Sequence, residues 1–184
     1  AQLNKYQGIE FAPGPISNDP IASIIYDHVW KINKSTIDSF AAGLFNGGVP
    51  PSIVNWPAHG RILFGESFYL APFVDVNQNG YYHPNTDGDY PCFQGDEAIF
   101  FMYNDNVVHT NTNAPSLGIE VLGMAYAYKT GDFLDSTIFV SYTVRSKKKA
   151  AILFSAALMS DFVLGNIDDN IVGTFIDQNT IFTY

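Results

Sequence analysis

From Gly60 onward the chain consists of strand-like segments joined by short polar connections, and this spacing limits the folds open to it. Connections of about four to eight residues suit hairpins and leave no room for the helical crossovers that parallel strands require. The sequence therefore predicts an antiparallel meander. The expected strands are residues 97–104, 117–129, 137–145, 150–160 and 170–177.

The segment 137–145 has the clearest two-residue periodicity. One face carries Ile138, Val140, Tyr142 and Val144, and the other carries Thr137, Ser141, Thr143 and Arg145, with Phe139 as an exception. Alternation of this kind indicates one buried and one solvated face. We expect the apolar face to contact the core.

Helical patterns are confined to the N-terminal third. Asp19 is placed to cap a helix over 20–26, and Asn33 or Ser35 is placed to cap another over 36–45, which Gly47-Gly48 and Pro50-Pro51 would end. The predicted fold is therefore mainly β, an antiparallel β-sandwich with one or two short helices, formed as a single domain over residues 1–184.

Composition supports this fold and excludes several functions. Of the 184 residues, 47% are hydrophobic and 15% are charged, against about 25% charged in typical soluble domains. The net charge of −9 argues against a nucleic-acid groove or an anionic membrane surface. The single Cys92 cannot form an internal disulfide, and no apolar run is long enough to cross a bilayer.

The segment 75–91 (DVNQNGYYHPNTDGDYP) carries oxygen side chains at alternate positions followed by glycine. This pattern is typical of calcium loops, in which Asp75, Asn77 and Asn79 would supply oxygen ligands and Gly80 the sharp turn. The carbonyl of Tyr81 is a further candidate ligand. Apolar flanks without long helices indicate that the loop joins two strands rather than forming an EF-hand.

A carboxylate must complete such a site. Position twelve of the loop is Thr86, so this role falls to Asp87 or Asp89. Two Asn residues among the leading ligands lower the charge of the site and predict weak, roughly millimolar, binding. The alternative is a turn without metal, in which Asn and Asp side chains bond to their own backbone.

Other candidate sites are less specific. Asp161, Asp168 and Asp169 form a second acidic cluster that would suit a cation or a solvated turn. Glu97 and Glu120 would suit glycoside hydrolysis only if their carboxyl groups lie about 5 to 10 Å apart. The four His residues are scattered without zinc spacing, and no nucleophile or nucleotide-binding motif occurs, so we expect no enzyme.

Several sequence segments together resemble a β-rich region of large secreted or cell-surface Bacteroidetes proteins of the type IX secretion class, which carry a C-terminal sorting domain. The segments are 6–15 (YQGIEFAPGP), 26–32 (YDHVWKI), 55–60 (NWPAHG), 70–77 (LAPFVDVN), 88–91 (GDYP), 95–98 (GDEA), 118–121 (GIEV) and 164–169 (LGNIDD). The resemblance implies an extracellular or cell-surface location and a chain that is part of a larger protein. In these proteins Asp tends to stand at the position of Asn79.

Three functional hypotheses follow. The first is a calcium-stabilised structural or adhesive domain. The second is a carbohydrate-binding or carbohydrate-cleaving module, in which Tyr81, Tyr82 and Tyr90 would stack on sugar rings of surface glycans. The third is a segment of an extracellular filament or surface assembly, completed by the remainder of the parent chain or by neighbouring subunits.

Overall fold

The computed structural model describes residues 10–110, 112–148 and 171–183. The chain divides into two compact units, Ala1–Ala151 and Ile152–Tyr184. The described residues form antiparallel strands and three short α-helices. This confirms the mainly β, antiparallel fold with few helices.

The first unit contains seven strands and three α-helices in its described part. In chain order they are β1 (Ala12–Pro13), α1 (Ala22–Ile25), β2 (Trp30–Asn33), α2 (Lys34–Ala41), α3 (Pro51–Val54), β3 (Phe73–Val74), β4 (Tyr90–Pro91), β5 (Glu97–Asn104), β6 (Ile119–Ala127) and β7 (Phe139–Ser146).

The main sheet has five strands. Four follow the order β1-β5-β6-β7, and the fifth, β2, pairs with β5 on the same side as β1. Strand β5 has the predicted bounds, whereas β6 is shorter at both ends than the predicted 117–129. Strand β7 begins two residues later than expected because residues 133–136 form a 3₁₀ turn capped by Asp132. The predicted strand over 150–160 lies outside the described residues.

One face of this sheet forms the core. Ala98, Phe100 and Met102 of β5 lie beside Leu122 and Met124 of β6 on this face, and all five are buried. Within the described residues, short helices, loops and the β3–β4 pair cover them, with Ile53 and Trp56 at the centre of the packing. The Trp56 ring lies 5.6 Å from the Phe100 ring, and its Nε1 donates to the Pro72 carbonyl at 2.9 Å.

The orientation of β7 differs from the expectation. Its register places Ser141 opposite Met124 and Thr143 opposite Leu122, so the polar side chains share the core face of the sheet. Val140, Tyr142 and Val144 lie on the other face and are 47%, 51% and 40% exposed. The alternation was predicted correctly, but the apolar face is not the one turned toward the core.

The helices also depart from their predicted bounds. Helix α1 is a single turn preceded by an Asx turn, in which Asp19 Oδ1 accepts from the Ile21 N–H at 3.1 Å. Helix α2 starts two residues earlier than expected and its N-cap Asn33 makes no side-chain cap bond. Helix α3 was not predicted: Pro51 occupies the first position of a helix, where its missing N–H costs nothing.

A buried ionic network joins the segment around α1 to the segment 61–66. Glu66 accepts from Arg61 Nη2 at 2.5 Å, from the Tyr26 hydroxyl at 2.8 Å and from the Ser17 hydroxyl at 2.9 Å. Arg61 Nη1 also contacts Asp19 at 2.5 Å. Burial alone would raise the pKa of Glu66, but the bonds from Arg61 and the hydroxyls outweigh it and lower that pKa.

Buried polar side chains fix the ends of β5 and β6. Asn104 Nδ2 donates to the Gly14 carbonyl at 2.9 Å, and Glu120 accepts from the Ile16 N–H at 3.0 Å. Asp105 is buried and accepts from the backbone N–H groups of Leu117 and Ile119. These side chains thus satisfy backbone groups at and beyond the ends of the two strands.

The described part of the second unit is a hairpin of β8 (Val172–Phe175) and β9 (Thr180–Thr183). The predicted strand over 170–177 is thus shorter and ends in a 3₁₀ turn at Ile176–Gln178. No helix in the described residues is both long and apolar enough to cross a membrane.

Candidate functional site

The loop 75–89 joins β3 to β4, which pair antiparallel with Phe73 opposite Pro91 and Val74 opposite Tyr90. The expectation that it connects two strands is confirmed. The hairpin continues through a bond from the Cys92 N–H to the Pro72 carbonyl at 3.0 Å. Both ends of the loop are therefore fixed on the core.

The three leading candidate ligands turn their side chains toward one backbone turn. Asp75 Oδ2 accepts from the Gly80 N–H at 2.6 Å, Asn77 Oδ1 accepts from the Asn79 N–H at 3.1 Å, and Asn79 Oδ1 accepts from the Tyr81 N–H at 2.8 Å. Gly80 has φ +83°, the left-handed conformation that glycine adopts without strain. These are the side chain-to-backbone bonds expected of the metal-free turn, and they direct all three side chains toward the same turn.

Asp87 is the carboxylate that reaches these side chains. Its Oδ2 accepts from Asn79 Nδ2 at 2.8 Å and lies 3.3 Å from His83 Nδ1. Burial would raise the pKa of Asp87, but hydrogen bonds from its neighbours, including Asn77 and Asn79, outweigh burial and lower it. The carboxylate is therefore held ionised beside the amide of Asn79.

Asp89 lies in a different environment. Its side chain is fully buried, and its oxygens accept from the Val76 N–H at 2.9 Å and from the His83 N–H at 2.8 Å. Asp89 thus links the start of the loop, at Val76, to its middle, at His83. Of the two candidates for completing the metal site, Asp87 is the one that contacts another candidate ligand.

The chemistry of the donor set fits calcium. Carboxylates, amide oxygens and a backbone carbonyl are the oxygen ligands that calcium takes. Within residues 10–110, 112–148 and 171–183, no group of three or more His, Cys, Asp or Glu side chains is arranged to hold a metal. The remaining candidate ligands are the amide oxygens of Asn77 and Asn79 and the carbonyl of Tyr81. Since the loop oxygens already accept backbone N–H bonds, calcium would compete with those bonds.

An aromatic cluster packs beside the loop. His59 Nε2 accepts from the Tyr82 N–H at 2.9 Å and its Nδ1 lies 3.2 Å from the Phe68 carbonyl, which requires the proton on Nδ1. Burial lowers the pKa of His59. The Tyr82 hydroxyl donates to the Ile53 carbonyl at 2.6 Å, and Tyr90 packs against the core. Of the three tyrosines predicted to stack on sugars, Tyr81 alone is exposed.

Sequence reasoning missed a groove on the core face of β7, here called the β7 groove. Its volume is about 410 Å³, with Leu122 and Met124 at its floor. Its lining includes three aromatic residues, Tyr69, Phe73 and Phe93, here called the aromatic wall, and three polar residues, Ser141, Thr143 and Arg145, here called the polar wall. The groove explains the orientation of β7, because side chains that line an open groove remain in water. The polar positions at every second residue of 137–145 were the available signal for this groove, but they were predicted to lie on the solvated outer face of the sheet.

Glu97 and Glu120 are not brought together. Glu120 of β6 lies opposite Asn104 of β5, which is seven residues from Glu97 and on the other face of the sheet. At 3.4 Å per residue, Glu97 and Glu120 are about 24 Å apart along the strands. Glu97 instead forms an exposed ion pair with Lys31 at 2.8 Å. This pair lacks the spacing for glycoside hydrolysis. Asp161, Asp168 and Asp169 lie outside the described residues.

No protein-family model matches the chain, and comparisons with curated proteins and with solved structures likewise give no match.

Proposed function

We propose that this chain is a non-enzymatic structural or adhesive domain of a secreted or cell-surface bacterial protein, stabilised by calcium bound in the loop 75–89. The observation that carries the proposal is the convergence of Asp75, Asn77, Asn79 and Asp87 on one turn. The anchoring of that turn by Asp89 supports it, since a fixed loop loses less conformational freedom when it binds an ion.

Calcium would be held by the carboxylates of Asp75 and Asp87, the amide oxygens of Asn77 and Asn79, and the Tyr81 carbonyl. It would supply a divalent charge that draws the two limbs of the loop together. An ion that binds only the folded state adds about 2.7 kcal/mol of stability at 100 times its Kd. That is a substantial part of the total of roughly 5 to 15 kcal/mol for a domain.

The extracellular location rests on the resemblance to type IX secretion proteins and on the chemistry of the site. Roughly millimolar calcium sites are those of extracellular modules. The net charge of −9 favours cation binding and opposes contact with nucleic acid.

The test is thermal unfolding with millimolar calcium, with equal magnesium, and with excess chelator. Calcium alone is expected to raise the melting temperature, and Asp75→Asn to remove most of that rise. Asp132→Asn is the matched control, because Asp132 also accepts a backbone N–H in an exposed turn, from Leu134 at 2.9 Å, but lies outside the loop. Equal melting temperatures in calcium and chelator for demonstrably metal-free protein would refute the proposal.

The outer face of the main sheet favours a second candidate, a subunit of a surface assembly that contacts another copy of the chain. Phe101, Val140, Tyr142 and Val144 lie on this face, and the rings of Phe101 and Tyr142 are 6.1 Å apart. The exposed members form an apolar surface, and such surfaces mark interaction sites. Self-association that depends on this face would support this candidate.

A further inference from the structure

The β7 groove has the size of a ligand site. Its volume of about 410 Å³ falls within the range of about 300 to 1,000 Å³ typical of small-molecule pockets. None of the five candidate calcium ligands lines it. The Tyr69 hydroxyl does donate to the Gly80 carbonyl of the loop 75–89 at 3.3 Å, so the groove and the loop share this contact.

The polar wall offers unused hydrogen-bonding groups. Ser141 and Thr143 are exposed, and their hydroxyls make no hydrogen bond within the described part of the chain. Because they are two residues apart on one face of β7, their side chains project about 6.8 Å apart along the strand. Arg145 uses Nη1 to donate to the Tyr69 carbonyl, and its other N–H groups remain available.

The aromatic wall offers ring faces. The Tyr69 and Phe73 rings are stacked with centroids 6.4 Å apart and planes inclined by 28°, and Tyr69 is 52% exposed. Arg145 also holds the backbone of Tyr69 in place. The aromatic wall is thus fixed to the polar wall at one end of the groove.

We propose that the β7 groove binds a pyranose ring of an oligosaccharide. A sugar ring has an apolar C–H face, which fits the aromatic wall, and a rim of hydroxyls, which fits Ser141, Thr143 and Arg145. A wholly apolar ligand would leave those polar groups without water or partners, which costs free energy. A cation is disfavoured, since Arg145 is the one charged side chain among the lining residues, all of which are described.

The test is titration calorimetry of the whole chain, in calcium, with cellohexaose, xylohexaose, mannohexaose and hexagalacturonate. At least one of these probes is expected to bind. Tyr69→Ala should weaken binding at least tenfold, and Tyr69→Phe, which keeps the ring, should retain it. Thr143→Ala should weaken binding about fivefold, the effect of one net hydrogen bond.

Phe133→Ala is the matched control, because it removes an exposed aromatic ring in the turn that precedes β7, outside the groove. It should leave affinity unchanged. Thermal melts identify any variant that fails to fold, and Thr143→Ala removes an exposed hydroxyl without touching the core. The proposal is overturned if none of the four probes binds at millimolar concentration. It is also overturned if a probe binds with equal affinity to wild type, Tyr69→Ala and Thr143→Ala.

Discussion

Replacing Asn79 by Asp adds a charge to the loop 75–89, the proposed calcium site, without changing the size of the side chain. In the structure Asn79 Nδ2 donates to Asp87 Oδ2 at 2.8 Å. The variant replaces that donor by a carboxylate, so an attraction becomes a repulsion. In the absence of calcium, the variant should be less stable than the wild type.

The magnitude follows from the position of the pair. Two unit charges 4 Å apart interact by about 1 kcal/mol in water and about 4 kcal/mol at an effective dielectric constant of 20. The Asp87 side chain is 19% exposed and Asn79 is exposed, so we expect a loss of about 2 kcal/mol in unfolding free energy. At about 2 to 4 °C per kcal/mol for a chain of this length, the melting temperature falls by about 4 to 8 °C in chelator.

Calcium should reverse the relative stability of the wild type and Asn79→Asp. A third carboxylate in the loop strengthens calcium binding, and the bound ion removes the repulsion. In saturating calcium, Asn79→Asp should melt at or above the wild-type temperature. Differential scanning calorimetry in both buffers measures the effect, with Asn85→Asp, an exposed residue of the same loop, as the equal-charge control.

Two results would contradict this reasoning. If Asn79→Asp lowers the melting temperature equally in calcium and in chelator, residue 79 is not a ligand. If Asn79→Asp is no less stable than Asn85→Asp in chelator, the contact with Asp87 does not contribute to stability.

Further predictions concern the core and the outer face. Glu66→Gln should cost about 2 kcal/mol, because it removes the charged acceptor of the bonds from Arg61 and Tyr26 while Asp19 still pairs with Arg61, measurable by urea unfolding. Because the folded-state pKa of Glu66 is lowered, wild-type stability should fall as pH drops below about 4.5, and Glu66→Gln should show a shallower fall; parallel pH curves would contradict this. Ile53→Ala, at a fully buried site, should cost about 2 to 5 kcal/mol, and Leu63→Ala, at a 95% exposed site, less than about 0.5. Sedimentation velocity should show self-association that Tyr142→Lys abolishes; a wild type that stays monomeric at high concentration would exclude that interface.

The features predicted well from sequence are those fixed by local chemistry. The strand 97–104, the antiparallel order of β5, β6 and β7, and the loop between β3 and β4 depend on periodicity, connection length and turn residues. The contrasting surroundings of Asp87 and Asp89 were not predictable, because two residues of one type on one loop differ only through their tertiary contacts.

Long-range packing set the rest. The face of β7 that turns to the core depends on whether another layer covers the end of the sheet, and alternation alone cannot tell which face is covered. The network around Glu66 joins residues up to 49 positions apart, and no spacing rule reports such contacts. Pro50-Pro51 was interpreted as a helix stop, although proline equally suits a helix start, and Pro51 is the first residue of α3.

The buried carboxylate of Asp105 has a consequence for how this domain can vary. By accepting from Leu117 and Ile119, it closes the connection between β5 and β6 at its base. The register of the two strands therefore does not depend on the length of the connection above that point. Residues 113–115, which are exposed, form a position where insertions should be tolerated, both during evolution and as an engineered site for displaying a foreign peptide.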